Sequence, residues 1–375
     1  MKKILRYPVI VLLFGVVIFF FVINLVTPAK GFSEMENRYL SQLPSFSFKG
    51  IIDSSEKGFA QRFEQYANDQ FAMRDGWIAL KSRCEALLGK IENNGIIYGE
   101  DDYMFEKYRS YDEARLERNI SLLETFSDMN ADIDKYVMIV PSSYCVLSDK
   151  LPQGTGNIDQ LPLIDGLQNR LEASGYIPID VKESLLEHGK EEIYYRTDHH
   201  WTTQGAWYGY HSFAEQAGFT AVVPENSLKK TAEGFWGTYF SKAQKHDAVA
   251  DVIDYYDLSV DSVTINGESK DGMYDLAQLD VRDKYAMFLY ANNGVTVIEN
   301  SKAELDKTVM VIKDSYANCF TPFLTQNYSK IVVIDLRSLP TGLNQIIKEQ
   351  EIDDLLVLYS FSNLASDTNL PRLKY

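Results

Sequence analysis

The chain has 375 residues, 45% apolar, 13% aromatic and 24% charged, enough apolar content to bury a sizeable core and to exclude disorder of the whole. Lys+Arg 37 against Asp+Glu 53 leaves a net charge of −16, which repels phosphate backbones and argues against a nucleic-acid partner. Three cysteines (Cys84, Cys145, Cys319) complete no disulfide framework, and no Cys/His spacing marks a structural zinc site.

Lys2, Lys3 and Arg6 precede the run Tyr7–Val26, in which Asn24 is the one strongly polar residue. About 20 apolar residues cross the ~30 Å core of a bilayer, and the basic flank holds the N-terminus in the cytoplasm. The expectation is a single-pass signal anchor over residues 1–30, in the cell membrane, with the rest outside the cytoplasm. A cleaved signal peptide is the alternative, with Thr27-Pro28-Ala29 as a weak site, although the run exceeds the ~7–15 residues of a signal core. The first 30 residues hold four bases and no acid, so the remainder carries −20 instead of −16. That charge argues against stable binding to anionic lipid headgroups.

Residues Gly31–Phe48 read as a polar linker. From Ile51 to Lys90, Phe59, Phe63, Tyr66, Trp77, Leu80, Leu87 and Leu88 recur at helical spacing, predicting two helices around Arg74-Asp75-Gly76. Asn94-Gly95 opens a hairpin-like stretch to Phe105, and a helix follows over 112–129. Tyr136–Val140, Val309–Ile312, Ile331–Ile334 and Leu355–Tyr359 are short continuous apolar runs, the pattern of strands buried on both faces. Helical stretches near Leu161–Ser174 and Leu339–Gln350 separate them, so the expected class is α/β with a doubly wound parallel sheet. Between Phe219 and Asn300 the pattern turns to alternating β-type residues (Val252 to Val260; Met287, Leu289, Tyr290; Val295, Val297), which predicts an inserted β-rich module at about 220–300.

Three segments carry chemistry. The first is Tyr194-Tyr195-Arg196-Thr197-Asp198-His199-His200-Trp201-Thr202-Thr203, with two of the five histidines beside an acid. An amphipathic helix follows, with Ala206, Tyr210, Phe213, Ala214 and Ala217 on one face, Thr202 or Thr203 as N-cap and Gly218 as stop. In an extended segment residues i and i+2 share a side, so Asp198 and His200 are expected to face one way and His199 the other. A carboxylate beside an imidazole fixes its tautomer during proton transfer. A metal site and a buried structural pair are the alternatives, and His188, His211 and His246 offer no ligand spacing.

The second is Thr308 to Asn318, a buried strand running through Lys313-Asp314-Ser315 into a short or kinked helix, since Pro322 interrupts it. Ser315 would sit at the C-terminal edge of the sheet, where open α/β sheets place ligands, beside backbone N–H groups suited to an oxyanion. Read alone, Asp-Ser before a helix is also a plain N-cap. The third is Val140-Pro141-Ser142-Ser143-Tyr144-Cys145, whose Ser142, Ser143 and Cys145 are rival nucleophiles or, more simply, a loop cap with a buried thiol. Cys319, one turn past Ser315, reads as packing.

Asp198-His199-His200-Trp201 is the signature of the DHHW proteins, relatives of the alginate O-acetyltransferase group within the SGNH-hydrolase superfamily, and the chain resembles them over nearly its full length. Glu36-Asn37-Arg38, Asp69-Gln70-Phe71, Lys313-Asp314-Ser315-Tyr316-Ala317-Asn318 and Ile334-Asp335-Leu336-Arg337 resemble family phrases in the expected order. The superfamily's usual Gly-Asp-Ser reads Lys313-Asp314-Ser315 here, and its Gly and Asn oxyanion blocks find no match. The resemblance implies an SGNH-hydrolase-like (flavodoxin-like) catalytic domain over 131–375, preceded by a linker and a helical/hairpin region over 31–130. It implies Ser315 as nucleophile, His200 as general base and Asp198 as its orienting acid, with Arg196, Trp201 and Tyr316 as substrate contacts. It implies O-acetylation of a secreted or cell-wall polysaccharide without a metal or cofactor, the acetyl group being delivered by a membrane-bound O-acyltransferase partner. A carbohydrate esterase with the same triad and a non-catalytic glycan-binding or export scaffold are the rival readings. The aromatic face of Trp201, Trp207 and Tyr208 would serve that scaffold.

Overall fold

The computed structural model describes residues 7–33, 35–36, 38–45, 58–339 and 342–374. Lys2, Lys3, Arg6 and Asn37, the linker's end (46–48) and the start of the first predicted helix (51–57) lie outside the described residues. The chain divides into two compact units, residues 1–90 with 244–247, and 91–243 with 248–375.

In the first unit Pro8–Val26 is, among the described residues, the one helix long and apolar enough to cross a membrane. Near its end Asn24 Oδ1 accepts the Ala72 N–H at 2.7 Å, and Phe20 stacks on Phe71 with centroids 5.5 Å apart. Helices Phe59–Asp69 and Arg74–Leu87 occupy the predicted stretch. The quoted phrases meet there as ion pairs, Arg38 to Asp69 and Arg74 to Glu36, each at 2.6 Å. The Arg38 guanidinium holds the Asp69 carboxyl well below the usual carboxylate range.

The second unit is built on eight strands: β1 (Asp134–Val140), β2 (Ile177–Pro178), β3 (Ser262–Ile265), β4 (Glu268–Lys270), β5 (Val295–Glu299), β6 (Leu305–Lys313), β7 (Tyr328–Ile334) and β8 (Asp354–Ser360). Their order across the sheet is β4-β3-β5-β7-β6-β8-β1-β2. From β7 to β2 every pairing is parallel; from β7 to β4 every pairing is antiparallel. The continuous apolar runs form these central strands because both faces are covered. Met138, Val309, Val311 and Leu356 point to one apolar layer, and Ile139, Met310, Ile312 and Val357 to the other, as the two-residue period of a strand requires. Each such side chain, fully removed from water, contributes about 1.5–3 kcal/mol. The first layer is closed by helices α3 (Thr203–Ala217) and α4 (Ala317–Leu324), the second by α1 (Glu113–Met129), α2 (Leu161–Ala173) and α5 (Leu343–Gln350).

Local signals act where expected. Asn94 and Gly95 both take positive φ in a hairpin between Glu92–Asn93 and Ile96–Tyr98. Asp112 caps α1 through the Arg115 N–H, Thr202 caps α3 through the Gly205 N–H, and Gly218 ends α3 at φ 77°. Helix α4 is eight residues long and contains Pro322.

The stretch 220–300, expected as an inserted β-rich module, divides its strands between two sheets. Lys229–Phe235 pairs with Asp251–Tyr256 as a two-stranded ribbon, but β3, β4 and β5 join the main sheet as its antiparallel edge. The strand expected at Met287, Leu289 and Tyr290 is a 3₁₀ turn (Lys284–Met287) followed by three residues at positive φ, Leu289, Tyr290 and Ala291. Positive φ cannot continue a strand. The apolar residues Tyr285, Met287, Phe288 and Leu289 are spent instead on core packing.

Candidate active site

Ser315 lies two residues beyond β6, in the turn that enters α4. Asp314 fixes that turn. Its Oδ1 accepts the Tyr316 N–H at 2.9 Å, while Oδ2 accepts the Ser360 N–H and hydroxyl, both at 2.8 Å, and the Asn363 amide at 2.7 Å. The acid before Ser315 therefore ties the end of β6 to the end of β8. The Ser315 N–H has no hydrogen-bond acceptor among the described residues, which leaves it open to a developing oxyanion.

The Asp-His-His-Trp segment comes to this edge as a narrow loop. Its legs are joined by the Tyr195 N–H to His200 O (3.2 Å) and the Thr202 N–H to Ile193 O (2.9 Å). Its tip is anchored by Asp251, which accepts the Arg196 N–H at 2.8 Å, the Thr197 N–H at 2.7 Å and the Thr197 hydroxyl at 2.5 Å. Burial pushes the Asp251 carboxyl up to about 6 against those bonds. Gly237 passes so close that a Cβ there would lie 2.2 Å from Asp198 Cβ, which requires glycine.

At the tip, His200 Nδ1 lies 2.6 Å from Asp198 Oδ1, and His200 Nε2 lies 2.7 Å from Ser315 Oγ. Asp198 Oδ2 accepts the Thr238 N–H at 2.7 Å and its hydroxyl at 3.0 Å. With Nδ1–H donated to the carboxylate, Nε2 presents its lone pair to the serine O–H. Burial lowers the His200 pKa to about 4, helped by the neighbouring His199 charge, so its ring is neutral near pH 7. Burial alone would raise the Asp198 carboxyl; His199 and His200 outweigh it and hold it well below its ordinary range. Tyr285 stacks on the His200 ring at 3.9 Å and 12°, and its hydroxyl donates to Ser315 O at 3.0 Å.

His199, against the parity expected of an extended segment, does not face away from the pair. Its ring lies 3.8 Å from that of His200, its Nδ1 is 3.3 Å from Asp198 Oδ1, and that nitrogen bonds the Thr238 hydroxyl at 2.8 Å. The segment is a tight turn, where two-residue alternation does not hold. Trp201 is fully buried, donates its indole N–H to Tyr316 O at 2.9 Å, and presents no face to a ligand. Arg196 pairs with Glu192 at 2.5 Å and lies over the Tyr103 ring. The Tyr316 hydroxyl donates to His199 O. Among the rival nucleophiles, Ser142 Oγ meets Glu106 and Ser362, both at 3.2 Å, and Ser143 Oγ is buried without a partner. Burial pushes the Cys145 and Cys319 thiols up to about 12, which keeps them protonated.

Tyr285, Thr238, Gly237 and Asp251 carry no mark in the sequence that points to the site. Tyr285 is one of 24 tyrosines and nothing local distinguishes it; Trp236-Gly237-Thr238 carries only a glycine, a weak sign of close approach. Asp198, His199 and His200 offer metal-ligand atoms within 4.8 Å of one another, yet both nitrogens of His200 are already engaged, by Asp198 and Ser315.

Beside the triplet lies a cavity of about 260 Å³, walled by Glu106, Ser142, His199, Tyr239, Lys242 and Tyr316 among others.

The family described as DHHW protein matches residues 95–334, well over half of the chain. A DHHW family protein from Eubacterium siraeum DSM 15702 is 24% identical, with a TM-score of 0.63 over 76% of this chain and 96% of that one. PatB1 from Bacillus cereus is 22% identical, with a TM-score of 0.58 over 72% of this chain and 97% of that one. The same PatB1 with a sulfonyl adduct aligns at 21% identity and a TM-score of 0.58, over 75% and 99% of the two chains. At these identities the likeness establishes a shared fold. No curated protein matches the sequence.

Proposed function

The chain belongs to the DHHW protein family, and from that premise we propose that it is an extracytoplasmic O-acetyltransferase acting on a secreted or cell-wall polysaccharide. The observation that carries this reading is the unbroken line from Asp198 through His200 to Ser315, with links of 2.6 and 2.7 Å at the C-terminal edge of a buried parallel strand. A neutral imidazole between a carboxylate and a serine is the arrangement that activates a hydroxyl nucleophile.

Ser315 Oγ attacks the carbonyl of an acyl donor and passes its proton to His200 Nε2, while Asp198 stabilises the imidazolium. The Ser315 N–H faces the oxyanion. The leaving group departs with the proton from His200, and acetyl-Ser315 remains. A sugar hydroxyl then attacks that ester: its proton goes to His200, a C–O bond to the sugar forms, the bond to Oγ breaks, and the proton returns to Ser315. The sulfonyl adduct of PatB1 supports the reading, because sulfonylating reagents react with activated nucleophiles. The acetyl donor in the cell would be a membrane-bound O-acyltransferase, and Pro8–Val26 would anchor the chain beside it.

The test uses the full chain in detergent micelles, which the anchor reading expects to recover from membranes washed at high salt. With p-nitrophenyl acetate as donor, Ser315→Ala should lower turnover by about 10³-fold or more. Wild-type turnover in that variant would overturn the proposal. Acetyl groups found on an added glycan identify a transferase; free acetate alone identifies the esterase.

A further inference from the structure

We propose that the cavity beside the triad is the acceptor site, that it takes one uncharged, hydroxyl-bearing sugar ring, and that Glu106 is the group that receives its hydroxyl; this rests on the acyltransferase reading above. Glu106 sits at the end of the short strand Met104–Glu106, half-buried, with its carboxylate turned to the end of the sheet. Its Oε1 is saturated from within the protein, accepting the Ser142 hydroxyl at 3.2 Å and the Ser362 hydroxyl at 3.0 Å. Both of those bonds fall on Oε1, and the residue lines the cavity with Oε2 left over. A carboxylate with one oxygen pinned by two hydroxyls is held in a fixed direction. The other oxygen then asks for a donor, which a sugar hydroxyl supplies.

The site is adjacent to the chemistry. His199 and Tyr316 both wall the cavity, and both rings lie against His200, with centroids 3.8 and 5.3 Å away. Ser360 and Asn363, which grip Asp314, line it as well, and Tyr316, the residue after Ser315, forms part of its wall. About 260 Å³ is below the ~300–1,000 Å³ of pockets for drug-sized ligands, which suits a single ring. Charge selects within the sugars. An acceptor carboxylate or phosphate would face Glu106, with the Asp314 and Asp198 carboxylates behind the wall; an uncharged ring meets hydroxyls, tyrosine rings, the Asn363 amide, the His199 ring, whose charge is matched by Asp198 at 3.3 Å, and Lys242, exposed at the surface.

The experiment measures how acetyl-Ser315 divides between sugar and water. The full chain turns over p-nitrophenyl acetate with either neutral pentasaccharides (glucose, mannose, N-acetylglucosamine) or pentagalacturonate present. Nitrophenolate reports total turnover and mass spectrometry reports acetylated sugar. Wild type should acetylate a neutral sugar at least about tenfold better than the galacturonate. In Glu106→Gln the ratio of transfer to hydrolysis should fall by about tenfold or more, with a raised acceptor KM, the loss expected for one hydrogen bond to a charged acceptor. Glu106→Ala should lower the ratio further; because both readouts are ratios within one sample, a partly unfolded preparation does not disguise the result. Equal acetylation of galacturonate, or an unchanged ratio in both variants, overturns the site. So does a changed preference for donor chain length with the ratio intact, which would make the cavity an acyl pocket. Transfer to sugar that persists unchanged in both Glu106 variants sinks the acceptor site alone; Ser315-dependent release without transfer to any sugar identifies the esterase and takes the site with it, and release independent of Ser315 removes the triad itself.

Discussion

Among the serine-bearing turns that end parallel strands at the same edge of one sheet are Pro141-Ser142-Ser143 after β1 and Asp314-Ser315 after β6. All three serines are buried. Ser142 meets a carboxylate, an amide and another hydroxyl; Ser143 meets nothing polar; Ser315 meets an imidazole. The Ser142 N–H is donated to Gln160 Oε1 at 2.8 Å, while the Ser315 N–H has no acceptor among the described residues. The larger difference is the loop 193–202, pinned by Asp251 and Thr238, which delivers His200 over β6 and not over β1. On the proposed reading, reactivity at this edge comes from the element that crosses it, and the strand-to-helix serine that becomes a nucleophile is the one under such a loop.

The contrast between the two turns breaks most sharply at Asp198. Asp198→Asn keeps the shape but offers an amide where the carboxylate accepts from His200 Nδ1 and from Thr238. The imidazole then loses the partner that sets its tautomer, and turnover of p-nitrophenyl acetate should fall by about 10³–10⁴-fold. The folded protein should persist, read by circular dichroism. Activity close to that of wild type would show that Ser315 is no more activated by this loop than Ser142 is by Glu106.

A smaller effect sharpens the same contrast through pH. On the proposed mechanism the active form of His200 is neutral, and burial together with the His199 charge lowers its pKa to about 4. Activity is therefore present above that value and lost as pH falls through it, about tenfold per pH unit, with no inflection near the ordinary histidine value of ~6.5. Replacing His199 by Gln removes the neighbouring charge and should move the acid limb upward. A wild-type limb centred near ~6.5 would mean that the ring is hydrated and the site open.

Much of this is written in the sequence, for reasons that differ by region. The four central strands are legible because burial on both faces leaves no polar interruption, and α1 and α3 because Asp112, Thr202 and Gly218 sit where their backbone groups need them. The antiparallel edge reads only as part of a β-rich insertion because alternation identifies a strand and says nothing about which sheet it joins. Tyr290 reads as strand because its neighbours are β-formers, and tertiary packing overrides them. In the site, residues adjacent in sequence to the triplet are visible. Glu106, Thr238, Asp251 and Tyr285 are not, since the fold alone brings them in from distant parts of the chain and each touches the site through a contact no local pattern encodes.

The smallest expected effect lies in the turn that lacks the loop. Ser143 Oγ is buried with no partner, so it carries the desolvation cost of a hydroxyl without a compensating bond. Its side chain faces no base, and helix Ser143–Val146 keeps its backbone bond from the Leu147 N–H to Ser143 O whichever small residue stands there. Ser143→Ala removes the unpaired oxygen and leaves a hole smaller than a methyl group. Stability should rise by about 1 kcal/mol, a gain of about 2 °C in Tm for a unit of this size, and ester turnover should stay within about twofold of wild type. A fall in Tm of several degrees would mean that Ser143 holds a bond the folded chain needs. Collapse of turnover with the fold intact would make the β1 turn a contributor to the chemistry, and the contrast between the two serine turns would dissolve.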